Sequence, residues 1–190
     1  MSRCAHICMM AEYNQWMNAR VYTAAAGLAP DELQRERGAF FGSLLGTLNH
    51  IMVGDTLWLQ RYAKHPAGFP LLDPVRAIAP PTSLTQPLFD DFAAMQAHRH
   101  WLDQLIVDWS ASITESDLDH QLDYRNSRGE NRRQFFALLM HFFNHQTHHR
   151  GQATTLLSQA GVDVGDTDLL VCIPNQLPAA AAKDIPGLSD

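Results

Sequence analysis

The sequence has few of the features of a secreted, membrane or nucleic-acid-binding protein. Only 3 of its 190 residues are cysteine, and this odd number without a C-x-x-C pair argues against a disulfide framework. No apolar run approaches the roughly 18 residues that would span a bilayer, and the N-terminus lacks the pattern of a secretion signal. The net charge of -6 offers no broad basic field to a phosphate backbone. We therefore expect a cytoplasmic protein without membrane or direct nucleic acid partners.

Several enzyme classes also lack their sequence signatures here. The chain has no H-E-x-x-H, no G-x-x-x-x-G-K loop and no G-x-G-x-x-G after a strand. The E-x-x-H pairs that helical di-iron proteins require are missing as well. These absences exclude kinase, dehydrogenase, classical metalloprotease and carboxylate-bridged di-iron functions.

The three cysteines are Cys4, Cys8 and Cys172. Because free cysteine is among the most buried residue types, we expect these side chains in the core. A metal site formed by Cys4, His6 and Cys8 is the alternative interpretation.

What the sequence does have is helical periodicity. A chain of 190 residues with 46% hydrophobic residues is long enough to bury one core, and it has the usual size of one domain. Apolar residues at helical spacing predict helices over residues 5–27, 39–62 and 133–159, and a further helix from near Pro87 through Trp109. We expect an all-α, four-helix bundle formed by residues 1–175, with residues 176–190 as a C-terminal tail.

The segments between these helices predict loops and one hairpin. Residues 63–87 are rich in proline and predict a long ordered loop between the second and third helices. The polar segment 117–132 predicts a short hairpin, around residues 122–124 and 128–129, before the fourth helix. Gly161 is a natural left-handed stop for that helix. Residues 169–173 are expected to pack as an extended piece.

Histidine is concentrated in the fourth predicted helix, where four of the ten histidines fall within residues 141–149. With His145 at 0° and about 100° per residue, His149 lies at about 40°, at the margin of the apolar face. His141 and His148 lie further toward the polar side. Since residues i and i+4 share a helix face, His145 and His149 can chelate one ion. Neutral imidazole suits zinc, nickel, copper or iron.

His50, in the second predicted helix, can supply a third imidazole. Within about 60° of it on the helical wheel lie the small residues Ser43, Gly46, Thr47 and Gly54, and Leu57 is the only sizeable residue close to that direction. Small residues allow another helix to approach closely, or they leave a cavity that suits a metal. The alternative is a solvated surface histidine, because the apolar centre of this helix lies elsewhere. Three imidazoles without a convincing fourth protein ligand would form an open, reactive site rather than a closed structural one.

Polar residues inside apolar helix faces are candidates for supporting these ligands. Gln146 and Arg150 lie within the apolar arc of the fourth helix, and Asp55 is placed similarly in the second. We expect a buried pair between Asp55 and Arg150 that holds the two helices together, because buried charges are generally paired. Direct catalysis by these groups is the alternative. Further candidates for orienting the imidazoles are Asn49, Asn144 and Gln152.

Three segments resemble the DinB/YfiT-like family of bacterial proteins: residues 13–18 (YNQWMN), 48–58 (LNHIMVGDTLW) and 144–152 (NHQTHHRGQ). The resemblance covers roughly residues 5–172. It implies a four-helix bundle, often dimeric, with a divalent metal bound by three histidines, and these ligand roles fall on His50, His145 and His149. Some relatives are transferases or isomerases that use bacillithiol, mycothiol or glutathione, whereas many have no assigned reaction. The family name refers to genes induced by DNA damage.

Together, the residues and the resemblance predict a metal-dependent protein with zinc or nickel as the ion. We expect an enzyme that activates a small thiol or water toward a small electrophilic substrate. The low-molecular-weight thiol would then be a second cofactor. We also expect the protein to be a homodimer. The alternative is a non-catalytic metal-binding protein of the stress response, whose metal stabilises the bundle or senses metal supply.

Overall fold

The computed structural model of the protein describes residues 1–176, and it is mainly α-helical, as the sequence predicts. In chain order, the helices of this part are α1 (Arg3–Ala26), α2 (Pro30–Gln34), α3 (Leu44–Tyr62), α4 (Asp73–Arg76), α5 (Phe92–Ser112) and α6 (Phe135–Gln159). Of the four long helices, α1 packs against α5 and α6, and α3 packs against α6. The predicted C-terminal tail lies outside the described residues, except for Gln176.

The long helix α3 begins five residues later than predicted. Ser43 caps it, because its Oγ accepts a hydrogen bond from the Gly46 amide at 3.1 Å. The preceding residues form a tight bend in which Ala39 and Gly42 pair as an antiparallel bridge. Gly42 has a φ of 75°, which a helix cannot contain. The prediction of a start at residue 39 was therefore wrong.

Helix α5 also begins later than predicted, at Phe92 instead of near Pro87. The amides of Leu88 and Phe89 donate to Asn49 Oδ1 on α3, at 2.7 and 3.0 Å. These hydrogen bonds hold the segment against α3, and it does not form part of the α5 helix. Asp91 is the cap instead, and its Oδ2 accepts from the Ala94 amide at 2.8 Å.

The predicted hairpin before α6 is confirmed. Strands β1 (Gln121–Asn126) and β2 (Gly129–Gln134) pair antiparallel, and the turn closes with Asn126 opposite Gly129. Gly129 has a φ of 111°, which a residue with a side chain rarely adopts.

Two predictions for the connections need correction. The proline-rich loop contains α4 and a 3-10 turn over Pro70–Leu72, because proline is tolerated in the first turn of a helix. The segment expected to be extended after α6 is also a 3-10 turn, over Leu169–Cys172. In contrast, α6 ends as predicted, with Gly161 at a φ of 76° just beyond it.

An aromatic cluster forms one end of the buried core. Tyr62 stacks on Trp109 with ring centroids 5.4 Å apart and meets the edge of Phe135 at the same distance. The Tyr62 hydroxyl donates to the Leu138 carbonyl at 2.8 Å and so ties α3 to α6. Within residues 1–176, none of the helices is long and apolar enough to cross a membrane.

The three cysteines are half-buried, so the expectation that they lie in the core was wrong. Cys4 and Cys8 lie on the flank of α1, where the Cys8 Sγ faces the Ser110 carbonyl at 3.8 Å. In the described part of the chain, Cys4, His6 and Cys8 do not converge as a group of metal ligands.

Candidate metal centre

The three histidines selected from the sequence meet between α3 and α6. The Nε2 atom of His50 lies 3.2 Å from Nε2 of His145 and 3.2 Å from Nε2 of His149. The ligand atoms of the three side chains all lie within 4.8 Å of one another. His141 and His148 are exposed and do not join this group. Whether the three imidazoles bind a metal stays a prediction.

A glycine allows α6 to approach α3 this closely. A Cβ atom added at Gly54 would lie 2.7 Å from Cε1 of His145, inside van der Waals contact. The His145 imidazole therefore packs directly on the backbone of α3. One of the small residues beside His50 on the helical wheel, Gly54, therefore allows the close approach of the two helices. Any side chain at this position would displace the His145 imidazole.

Hydrogen bonds fix the orientation of two of the three imidazoles. His50 Nδ1 lies 2.8 Å from the Leu84 carbonyl, which can only accept, so Nδ1 carries the proton. His149 Nδ1 donates in the same way to Oε1 of Gln152 at 2.7 Å. In both rings Nε2 is then unprotonated, and its lone pair points toward the other imidazoles.

This donor set fits a divalent ion. Lone pairs that converge without a positive charge between them repel each other, and a cation at their centre reverses the sign of that interaction. With metal–nitrogen bonds of about 2.0–2.1 Å, two ligands of a tetrahedral zinc would be about 3.3 Å apart. The observed separations of 3.2 Å are close to that value. Among residues 1–176, no further histidine, cysteine or carboxylate joins the group.

Burial keeps the imidazoles neutral, which is the form that binds metals. Desolvation lowers the pKa of His50 and of His149 below the ordinary value. Desolvation, together with the positive charge that His149 and His50 would carry when protonated, lowers the pKa of His145 to about 3. All three groups are therefore available as ligands at neutral pH.

Phe41 covers one side of the centre, and sequence reasoning missed it. Its ring stacks on His50 with centroids 3.8 Å apart and planes at 16°, and it meets the edge of His149 at 5.5 Å. The bend that places it lies between Gly38 and Gly42, with φ angles of 70° and 75°. The signal in the sequence was a pair of glycines flanking two aromatic residues, at a place where a helix had been predicted to begin.

The expected pair between Asp55 and Arg150 is wrong. Asp55 Oδ2 instead accepts from Nη1 of Arg99, on α5, at 2.5 Å, and its Oδ1 accepts from Nε2 of Gln146 at 2.9 Å. Burial raises the pKa of Asp55, and the Arg99 guanidinium opposes that shift. Arg150 turns away toward α1, where its Nη1 donates to Oδ1 of Asn14.

Of the three amide side chains proposed to orient the imidazoles, one contacts a histidine of the group. Gln152 contacts His149, as described above. Asn49 instead binds the backbone of Leu88 and Phe89. Asn144 is exposed, and it makes no side-chain hydrogen bond within the described part of the chain.

A second group of possible ligands consists of His65, Asp117 and His120, beyond the C-terminal end of α3. His65 Nδ1 accepts from the Ala67 amide at 3.1 Å, and its Nε2 faces the Asp117 carbonyl at 3.2 Å. The Asp117 carboxylate accepts two hydrogen bonds from Thr114, at 2.8 and 2.7 Å. Both ring nitrogens of His65 and one carboxylate oxygen of Asp117, Oδ2, thus already have protein partners.

The sequence is similar to a known protein family over most of its length. The DinB family model matches residues 1–178. The chain belongs to the DinB family. Protein DinB of Bacillus subtilis (strain 168) is 24% identical over 163 residues, which cover 83% of this chain and 87% of that protein. No solved structure matches the chain significantly. The resemblance inferred from the three sequence segments is thereby confirmed.

This DinB-family chain also has an open cavity of about 400 Å³ between α6 and the bend that precedes α3. Its floor is the part of the α6 surface that includes His148, Gly151 and Gln152, and its wall is formed by residues 37–40. Gln152 therefore lines the cavity and also accepts the hydrogen bond from His149. A Cβ added at Gly151 would meet no atom within 4 Å.

Proposed function

We propose that the protein holds one divalent ion, zinc or nickel, between His50, His145 and His149, and that it is an enzyme. In this proposal it activates a small thiol or water toward a small electrophilic substrate. The observation that carries the proposal is the convergence of three imidazole nitrogens, two with their lone pairs fixed inward, and no fourth protein ligand in the described residues. An open position of this kind is typical of reactive metal sites rather than structural ones.

The protein's own contribution is to hold the ligands neutral and oriented. When bound, the ion supplies Lewis acidity that makes a thiol or water a better nucleophile at neutral pH. Leu84 and Gln152 fix the ring orientations of His50 and His149 through Nδ1. Phe41 excludes water from one side of His50. Because all three ligands are neutral, they leave the charge of the ion uncompensated.

We place the substrate in the cavity beside Gln152. Its volume of about 400 Å³ suits a small molecule. Gly151 supports this placement. A glycine inside a helix lowers the stability of the helix by about 1 kcal/mol relative to alanine, so its presence at this position needs a reason. The residue is exposed and has no neighbour that would exclude a side chain, so packing does not explain it. The missing side chain leaves the floor of the cavity open.

The first test is metal content. Protein purified without a histidine tag should contain about one zinc or nickel per chain, and His50→Ala, His145→Ala and His149→Ala should each lose the same ion. His148→Ala is the matched control, because it removes an adjacent imidazole that lies outside the group, and it should retain the metal. Full metal retention in all three ligand variants would contradict the site.

The second test is turnover. Metal-loaded protein is assayed with bacillithiol, mycothiol, glutathione and water, each against a panel of small electrophiles, and compared with the variant that has all three histidines replaced by alanine. The proposal expects turnover that only the loaded wild-type protein shows. Equal rates for both proteins across the whole panel would count against catalysis.

A non-catalytic metal-binding stress-response protein is the second candidate. The low exposure of two ligands favours it, since only 6% of His50 and 9% of His149 is accessible. In that case metal removal should lower the melting temperature without abolishing any reaction. Added thiols should also leave the absorption spectrum of a bound cobalt ion unchanged.

We also propose, from the family, that the four long helices form a four-helix bundle and that the protein is a cytoplasmic homodimer. Light scattering after size-exclusion chromatography would give the mass of the assembly. A mass of one chain, 21.3 kDa, would contradict the dimer.

A further inference from the structure

A buried polar network joins the long helices beside the metal centre. Asp55 on α3 binds Nη1 of Arg99 on α5 at 2.5 Å, and Nη2 of Arg99 forms an ion pair with Oδ1 of Asp103 at 2.7 Å. Gln146 on α6 donates to the other oxygen of Asp55 at 2.9 Å. All four side chains are at most 3% exposed. The network therefore fixes α3, α5 and α6 relative to one another.

The same network extends to α1. Asn14 and Asn18 each donate to Oδ1 of Asp103, at 3.1 and 2.9 Å. Their amide oxygens face Nη1 of Arg150 on α6. Two carboxylates and two guanidinium groups thus balance in charge, and every long helix contributes at least one side chain.

The network residues of α6 are the immediate neighbours of the proposed metal ligands. Gln146 follows His145, and Arg150 follows His149, so each network residue is rotated by about 100° around the helix from the histidine before it. The two pairs lie about one turn apart along α6. One face of this turn carries the imidazoles, and the next face is anchored in the network. Fixing Gln146 therefore fixes the rotation of α6 about its axis, and with it the direction in which His145 points.

Stability alone does not account for this arrangement. Buried ion pairs are often no more stabilising than apolar side chains of the same volume, because desolvation offsets their attraction. Gln146 Oε1 is also buried without a hydrogen-bond partner among the described residues, which is unfavourable. What the network supplies is a single relative orientation of helices, which apolar packing would specify less strictly.

We propose that Gln146 and Asp55 are positioning residues for the metal centre, and that their hydrogen bond sets how the imidazoles of α6 meet His50. This inference rests on the proposed metal site. It goes beyond that site by assigning a role to residues that touch neither the ion nor the cavity.

The chain offers a closely matched control. Gln146→Leu removes one buried hydrogen bond between α3 and α6, beside His145, without a large change of volume. Tyr62→Phe removes another buried hydrogen bond between the same two helices, the 2.8 Å bond to the Leu138 carbonyl, about two turns away along α6. A purely structural role predicts the same outcome for both variants.

The test uses Co²⁺ as the probe, because its visible absorption reports ligand geometry. Affinity is measured by competition with a chromophoric chelator, and folding is checked by circular dichroism and melting temperature. We expect Gln146→Leu to weaken Co²⁺ binding about tenfold, the lower end of the loss when a group supporting a metal ligand is removed, and to shift the absorption bands. Tyr62→Phe should lower the melting temperature while leaving both readouts near wild type.

Three results would overturn the inference. Affinity within twofold of wild type in Gln146→Leu, with an unchanged spectrum, would show that the hydrogen bond does not position the ligands. Equal losses in both variants would show that stability alone explains the effect. Absence of Co²⁺ binding to the wild-type protein would overturn the proposed function itself, and this result is distinct because it needs no variant. If Gln146→Leu does not fold, Gln146→Met, of similar length and also without the amide, is measured by the same criteria.

Discussion

Residues 1–176 contain two histidine clusters, one between α3 and α6 and one just beyond the C-terminal end of α3, and the two clusters differ in the hydrogen bonds of their ring nitrogens. In the candidate metal centre, Nδ1 of His50 and of His149 each faces an oxygen acceptor, so both Nε2 lone pairs face inward. In the second cluster, Nδ1 of His65 accepts from a backbone amide and Nε2 faces a carbonyl, so the imidazole has no lone pair left for a ligand. Proximity of histidines alone therefore does not identify a metal site.

The partners of the other residues strengthen this contrast. His120 is exposed, and its Nδ1 lies 3.3 Å from the same Asp117 carbonyl that His65 contacts. The Asp117 side chain caps the turn that begins at Thr114. The second cluster thus closes a turn between α5 and β1, whereas in the first the Nε2 atoms of His50 and His149 face the other imidazoles.

The largest expected difference between the clusters is in metal affinity. His145→Ala should weaken binding of zinc or nickel by at least about 100-fold, because it removes one of three ligands. His65→Ala and His120→Ala should leave the affinity unchanged within experimental error. Isothermal titration calorimetry of the apoprotein measures the metal affinity of all three variants. A comparable loss of affinity in His65→Ala would contradict the conclusion that the two clusters differ in metal binding.

The second difference is in the stability of the metal-free protein. His65→Ala should lower the free energy of unfolding by about 2–3 kcal/mol, because it leaves a buried cavity and two backbone groups without their partner. Chemical denaturation of protein treated with a chelator gives this value. His120→Ala is the control on the same turn, and its exposed ring should contribute less than about 0.5 kcal/mol.

The third difference is in pH dependence. A histidine whose pKa is lowered by folding stabilises the folded state above its unfolded pKa of 6.5, and this contribution is lost as the pH falls below that value. The metal-free protein should lose up to about 2 kcal/mol of stability between pH 6.5 and pH 5, mostly through His145. Denaturation at a series of pH values should show a shallower slope in His145→Ala. Burial also lowers the pKa of His65, so His65→Ala should flatten the slope as well, but less.

The smallest expected effects come from substitutions at two helical glycines, which leave all three histidines of the candidate metal centre in place. Gly54→Ala places a Cβ against His145 and should weaken metal binding about tenfold. Gly151→Ala meets no atom and should raise the free energy of unfolding by about 0.5–1 kcal/mol through helix propensity, with unchanged affinity. Equal metal affinities in the two variants would mean that the close approach at position 54 is not needed.

The sequence was sufficient for the helical class, the hairpin and the meeting of the three histidines. Helical spacing placed His145 and His149 on one face, and small residues marked the face of α3 that α6 approaches. The partner of Asp55 was not predictable, because Arg99 belongs to a helix whose rotation depends on tertiary packing. Phe41 escaped notice since it lies in a bend, where periodicity gives no information. The starts of α3 and α5 were misplaced because side-chain caps at Ser43 and Asp91, and not apolar spacing, decide them.

The side chain of Asn49 holds the segment that precedes α5 through the Leu88 and Phe89 amides, and the next residue, His50, holds the same segment through the Leu84 carbonyl. One turn of α3 thereby fastens a surface linker at both of its ends. Exchange of the Leu88 and Phe89 amide protons with deuterated solvent should then slow when a metal binds to the three histidines. Hydrogen exchange at these two amides would therefore report metal occupancy even when the substrate is unknown.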